Sequence, residues 1–128
     1  MGELGFAQRI RIINNGRISS ERWFDAEGNP MTLGDTYCRV DYTYDTRGNI
    51  NREKYYDESG QPILCSEGYA IVYRELDVYN RIVYEKFYGT DGFAVTLADG
   101  TVSRRYEYDE EGNLIRVTRY DLMDRPLE

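Results

Sequence analysis

The chain has 128 residues, and its 16 basic and 23 acidic residues give a net charge of −7, a size that allows one core or one continuous stack of repeats. This acidity would repel a phosphate backbone, and the absence of His removes the commonest general base and metal ligand. We therefore predict no nucleic-acid partner, no cofactor, no zinc or transition-metal site and, because the apolar stretches are short, no membrane insertion.

The chain repeats itself with a period of 32 residues. One position of the repeat holds Gly48, Asn80 and Gly112, and another holds Gly28, Gly60 and Gly92. A unit of this kind buries its apolar face only by stacking on a neighbour. We expect a single repeat domain, 1–128, with units at approximately 5–36, 37–68, 69–100 and 101–128, forming a segment of a longer array.

Each unit is predicted to contain two strands joined by a turn, then a second turn and a short third strand. The first unit begins with a turn one residue shorter, Asn14-Asn15-Gly16, because Asn-Gly is the preferred two-residue hairpin turn. In the second unit the strands are 39–44, 49–56 and 63–65, and the turns are 45–48 and 57–60. Asp opens these turns, and Gly or Asn closes them at positive φ. The predicted turn residues are Gly16, Gly28, Gly48, Gly60, Asn80, Gly92 and Gly112.

The predicted fold class is all-β, with tandem 32-residue antiparallel β-hairpin repeats in an elongated, twisted array. A β-solenoid with one coil per repeat is the alternative. In the second unit, the hairpin pattern pairs Tyr44 with Ile50, Tyr42 with Arg52 and Val40 with Lys54 on a core face. The opposite, polar face then carries Asp41, Thr43, Asn51, Glu53 and Tyr55.

A Tyr-Asp pair precedes a Gly turn at two equivalent places, Tyr44-Asp45-Thr46-Arg47-Gly48-Asn49 and Tyr108-Asp109-Glu110-Glu111-Gly112-Asn113. This motif resembles the YD or RHS repeats of bacterial surface and toxin proteins, and more weakly the MORN-type hairpins of bacterial Tyr-rich repeat proteins. The period is longer than is typical of either family. The resemblance implies stacked β-hairpins, a bacterial source and an extracellular or cell-envelope location, and it transfers no catalytic residue.

An aromatic side chain recurs near the end of each second strand, at Trp23, Tyr55 and Phe87. With the pairing above, these rings lie on the polar face, where an exposed row would bind sugar faces or peptide side chains. The competing interpretation, which we favour, is that the short third strand folds over the rings and buries them. Cys38 and Cys65 take core positions of the repeat, and we favour buried free thiols over a disulfide bridge.

The sequence offers no catalytic machinery. The acidic candidates, Asp25, Asp45, Asp57, Asp109 and Asp121, each precede a turn at a fixed position of the repeat, which favours a turn role over a glycosidase carboxylate pair. Calcium has weak support, because the turns lack the alternating ligands of an EF-hand. No Ser, Thr or Cys has a His to activate it. We predict that the chain is not an enzyme.

The expected function is a noncatalytic repeat module that displays a binding surface for carbohydrate or protein on a bacterial cell envelope or secreted protein. Neighbouring repeats of a longer chain are further expected partners. The alternative is a purely structural spacer or shell segment with no ligand of its own. Exposure of Trp23, Tyr55 and Phe87 would favour the binding module over the spacer.

Overall fold

A computed structural model describes residues 8–32 and 35–127. Eight strands form one antiparallel sheet in which every strand lies beside its neighbours in the sequence. They are β1 (Gln8–Asn14), β2 (Arg17–Phe24), β3 (Arg39–Tyr44), β4 (Ile50–Tyr56), β5 (Ile71–Leu76), β6 (Ile82–Tyr88), β7 (Ser103–Tyr108) and β8 (Leu114–Tyr120). The predicted hairpin array is confirmed, and its antiparallel order differs from the parallel stacking that a solenoid would require. The predicted third strand, 63–65, is wrong, because this segment pairs with β4 only through one isolated bridge between Tyr56 and Pro62.

Successive hairpins are displaced along the strand direction. Lys54 of β4 lies opposite Ile71 of β5, which in turn lies opposite Tyr88 of β6. The residue equivalent to Lys54 in the next unit is Lys86, two positions before Tyr88. Each hairpin therefore advances by two residues relative to the preceding one, so equivalent side chains follow a diagonal across the sheet.

The turns have the backbone conformations that their residues predict. Positive φ is found at all the predicted positions, including 76° at Gly16, 65° at Asn80 and 90° at Gly112. The first turn is the shorter one, with φ values of 52° at Asn15 and 76° at Gly16. In the second unit, Asp45 Oδ1 accepts hydrogen bonds from the backbone N–H groups two and four residues later, at 2.9 and 3.0 Å. These bonds close the turn.

The tyrosine of the Tyr-Asp motif joins one hairpin to the preceding hairpin. The Tyr44 hydroxyl donates to the carbonyl of Ile18 at 2.7 Å, and the Tyr108 hydroxyl donates to the carbonyl of Ile82 at 2.7 Å. The motif thus combines two tasks, because its Tyr links units while its Asp closes the turn. The third unit has Leu76 at this position, and there Arg47 donates to the Leu76 carbonyl at 2.7 Å.

Each hairpin contains a β-bulge near its first turn. In the second unit, Thr43 pairs with Arg52 and Tyr44 pairs with Ile50, which leaves Asn51 between them without a partner. A bulge adds one residue to one strand, so every residue beyond it changes faces relative to a regular hairpin.

The bulge overturns part of the predicted register. The Tyr44–Ile50 pair is confirmed, but the other two predicted pairs are wrong. Tyr42 lies opposite Glu53 instead of Arg52, and Val40 lies opposite Tyr55 instead of Lys54. Glu53 and Tyr55 therefore belong to the face that carries Val40, which is the core face.

The core lies on this one face, beneath the segments that connect the hairpins. Its buried members are Trp23, Val40, Tyr55, Cys65, Tyr69, Val72, Phe87 and Leu97. The connecting segment after β4 folds back along that strand, with the Ile63 N–H donating to the Tyr55 carbonyl at 3.1 Å. Tyr69, from the same segment, lies between two sheet rings, at centroid distances of 5.9 Å from Tyr55 and 4.8 Å from Phe87. Cys38 and Cys65 are buried free thiols, as favoured.

Candidate ligand-binding face

The aromatic row singled out from the sequence lies in the core. Trp23, Tyr55 and Phe87 are only 8%, 5% and 2% exposed. They do not form a surface row that a ligand could reach, and the burial interpretation is confirmed. The physical reason is the bulge, which moves these positions from the predicted polar face to the core face.

A second aromatic row occupies the opposite face of the sheet, one residue later in each unit. Its members are partly exposed, and they are Phe24, Tyr56, Tyr88 and Tyr120. Successive residues of a strand point to opposite faces, and the connecting segments pack on the core face. We call the side that carries this second row the open face, because no core cluster forms over it in the described residues.

The sequence carries a signal for this row, namely two successive aromatic residues in each of the first three units, as in Tyr55-Tyr56. Periodicity shows that both positions recur. It does not show which of them faces the core, because that depends on the bulge.

The open face gathers basic side chains around the aromatic rings. Lys54 and Lys86 lie two residues before Tyr56 and Tyr88, and their Nζ atoms lie 5.3 and 5.8 Å from the respective ring centroids. The Arg105 guanidinium lies 4.7 Å from the Tyr84 ring centroid. Within residues 8–32 and 35–127, several cations of this face form no salt bridge, namely Arg22, Arg52, Lys54, Lys86 and Arg105. Their charge is therefore available to a ligand.

Rings and cations alternate in a regular pattern. The diagonal advance of the hairpins places three of the four rings in line with a cation two strands away: Tyr56 with Arg22, Tyr88 with Lys54, and Tyr120 with Lys86. Two strand spacings and two residues of offset give a step of about 12 Å between rings of successive units. The open face therefore repeats the same chemistry at a fixed interval.

The acidic side chains of the core face are paired there. Glu21 accepts from the Tyr42 hydroxyl at 2.6 Å and from Arg11 Nε at 2.8 Å. Burial raises the pKa of Glu21, but these two donors outweigh burial and leave that pKa below its usual value. Arg74 similarly binds Glu53 at 3.2 Å and Glu85 at 2.8 Å. The open face has acidic side chains as well, and two of them pair with arginines of that face: Asp41 with Arg39 at 2.8 Å and Glu107 with Arg116 at 3.7 Å. These acids do not form salt bridges with Arg22, Arg52, Lys54, Lys86 or Arg105.

The turn aspartates also bind partners within the chain, namely backbone N–H groups of their own turns. The backbone N–H of Asn49 lowers the pKa of Asp45, and the backbone N–H of Asn113 lowers the pKa of Asp109. In the part of the chain that the structure describes, no group of three or more His, Cys, Asp or Glu side chains is arranged to hold a metal ion. That part likewise contains no helix with the length and apolarity to span a membrane.

Residues 94–121 match the family model of the RHS repeat. The matched stretch includes β7, β8 and the Tyr108-Asp109 motif between them. The resemblance to YD or RHS repeats is thereby confirmed for this unit, and the other hairpins share its bulge and antiparallel pairing. The RHS repeat is a structural repeat of cell-surface and secreted proteins. A search of the curated proteins finds no match to the chain.

Proposed function

We propose that this chain is a noncatalytic repeat module of a bacterial cell-surface or secreted protein, and that its open face binds an extended carbohydrate. The observation that carries the proposal is the partly exposed row formed by Phe24, Tyr56, Tyr88 and Tyr120. Aromatic rings offer flat apolar surfaces that suit the apolar faces of sugar rings, and neighbouring polar groups supply hydrogen bonds.

The repetition of the site favours a polymer as the ligand. A single partly exposed ring gives a weak contact, but successive rings on one rigid sheet bind successive parts of one chain at high effective concentration. The step of about 12 Å between rings is on the length scale of a disaccharide in an extended polysaccharide. A repeating ligand is therefore suited to a repeating face.

A peptide is the less suitable ligand for this face. Peptides that bind sheets commonly add a strand at an edge, where backbone N–H and C=O groups are free. The open face presents side chains only, because the backbone groups of the inner strands pair within the sheet. Rings and charged groups, rather than backbone hydrogen bonds, must therefore provide the affinity.

The noncatalytic part of the proposal has its own support. A glycosidase needs one carboxylic acid that is protonated and a second that is free to act. On the core face, Glu53 and Glu85 share the cation Arg74 at 3.2 and 2.8 Å, so both carboxylates are held in ion pairs and neither is free to act. The match to a structural repeat family supports the same conclusion.

The test is a double variant, Tyr56→Ala with Tyr88→Ala, assayed by affinity electrophoresis against a panel of soluble neutral and acidic polysaccharides. Loss of two stacking rings should weaken binding by about tenfold or more. Tyr79→Ala is the matched control, because Tyr79 is 75% exposed at a turn tip away from the open face. If no polysaccharide binds the intact chain, or the double variant binds unchanged, the proposal fails and the structural spacer is the better account.

A further inference from the structure

The open face contains one depression that differs from its equivalents in the other units. It lies over β6 and β7, has a volume of about 370 Å³, and is lined by Tyr84, Lys86, Ser103, Arg105, Tyr120 and Asp124. Ser103 forms its floor and is only 2% exposed. The equivalent positions in the second and third units hold the larger side chains Arg39 and Ile71. A small residue at this point therefore opens the space between Lys86 and Tyr120.

Two cations flank this space, and both are held by rings rather than by acids. Lys86 Nζ lies 5.8 Å from the Tyr88 ring centroid, and the Arg105 guanidinium lies 4.7 Å from the Tyr84 ring centroid. Neither forms a salt bridge within the described ranges. The positions equivalent to Arg105 are Ile10, Asp41 and Tyr73, so among the described units only this depression combines two cations with an open floor.

We infer that the depression is a subsite for a carboxylate-bearing sugar residue of an acidic polysaccharide. Lys86 and Arg105 would bind the carboxylate, Arg105 through its planar fork of donors, while Tyr120 supports the sugar ring. The inference deepens the proposed function and rests on it, because it adds the charge of the ligand to a face already proposed to bind carbohydrate.

The spacing of the charges separates an acidic glycan from a nucleic acid. Each strand of a duplex carries one phosphate per about 3.4 Å, whereas equivalent cations of the open face recur about every 12 Å. A polyuronate carries one carboxylate per sugar ring, which is a sparser charge than one phosphate per about 3.4 Å.

Asp124 allows a second test of the charge of the ligand. It lies at the rim of the depression with a φ of 60°, at the position that Gly28, Gly60 and Gly92 occupy in the other units. Its carboxylate opposes an incoming anion and leaves a neutral sugar unaffected. Asp124→Asn should therefore strengthen the binding of an acidic ligand by a few-fold and leave a neutral one unchanged.

The experiment compares polygalacturonate with its methyl ester, which keeps the sugar backbone and removes the charge. The acid should bind about tenfold more tightly than the ester, with an advantage that falls as salt rises. Lys86→Gln with Arg105→Gln should abolish that advantage. Lys54→Gln, a cation of the same face outside the depression, should retain most of it.

The outcomes separate the inference from the proposed function. Equal binding of acid and ester, lost in the Tyr56→Ala, Tyr88→Ala variant, would overturn the acidic subsite and leave the carbohydrate face intact. An equal loss in Lys54→Gln and in the double cation variant would assign the effect to the whole face and overturn the subsite. Tighter binding of a single-stranded oligonucleotide or of polyglutamate than of polygalacturonate would also overturn it.

Discussion

Single residues at the turn tips hold backbone conformations that most side chains resist. Gly112 has a φ of 90°, and a Cβ added there would meet only the end of the Arg81 side chain, at 3.5 Å. Crowding is therefore a minor obstacle at this tip, and the conformation itself decides which residue is tolerated. This is why the turns could be predicted from the sequence. Asp124 was not anticipated as a positive-φ residue, because Asp gives a weaker signal than Gly or Asn.

Gly112→Val should lower the free energy of unfolding by more than about 1 kcal/mol, because a β-branched residue is strained at positive φ. Urea denaturation gives the measurement. Glu111→Val is the matched control at the same tip, where φ is not positive. Equal denaturation midpoints for the two variants would contradict the turn assignment.

At the scale of the elements, the sequence predicted the two strands of each hairpin, their turns and the Tyr44–Ile50 pair, but not the bulge within the second strand. The bulged positions are Ser19, Asn51, Val83 and Ile115. These residues share neither size nor polarity, so no residue preference marks the position. The bulge instead depends on the backbone conformation of the strand residues that follow the turn, and periodicity alone does not encode that conformation. Because of this single residue, the sequence pattern places Tyr55 on the polar face, whereas the structure places Tyr56 on the open face.

Two neighbouring rings provide the test of which face is which. Phe87→Ala should cost about 3–5 kcal/mol of stability, because Phe87 is only 2% exposed within the core. Tyr88→Ala, one residue later on the open face, should cost much less, since its ring is already partly in contact with water. Thermal unfolding followed by circular dichroism compares them. A larger loss of stability in Tyr88→Ala than in Phe87→Ala would show that the core and open faces are assigned the wrong way round.

Across the whole molecule, strand pairing concentrates positive charge on the open face, and this is not visible in the linear sequence. No stretch of the chain concentrates Lys and Arg, because Arg52 and Lys54 alternate with residues that face the other side. Pairing between strands then brings cations of different units together on the open face. The net charge of −7 predicts that a phosphate backbone is not a partner, but it conceals this local excess of positive charge.

The tyrosine content of the core makes the whole array sensitive to alkali. Burial raises the pKa of Tyr42, Tyr55 and Tyr69 well above the ordinary value of 10.0. The protonated, neutral ring is the form that the folded state prefers, so this contribution to stability is complete below pH 10.0 and is lost as pH rises through the folded-state pKa values.

We therefore expect the free energy of unfolding to fall steadily above about pH 10. Tyrosinate absorbance should rise in two stages, with Tyr42, Tyr55 and Tyr69 ionising in the second stage together with loss of the circular dichroism signal. Tyr69→Phe should retain more of its stability in alkali than the unaltered chain does. A single stage of ionisation with the fold intact would mean that these rings are accessible to water.

The bulge has a consequence for how such an array changes by insertion and deletion. A residue gained or lost at a turn tip alters only the length of that tip, as the shorter turn at Asn15-Gly16 already illustrates. A residue gained within β4, between the bulge and Tyr55, would instead exchange the two faces of the strand's end. Because Tyr55 and Tyr56 are successive aromatics, that exchange would bury one ring and expose the other without emptying the core. The insertion of one codon can therefore exchange the buried and exposed side chains of a unit while the core stays filled. The surface that contacts a ligand can thus evolve independently of the hairpin architecture.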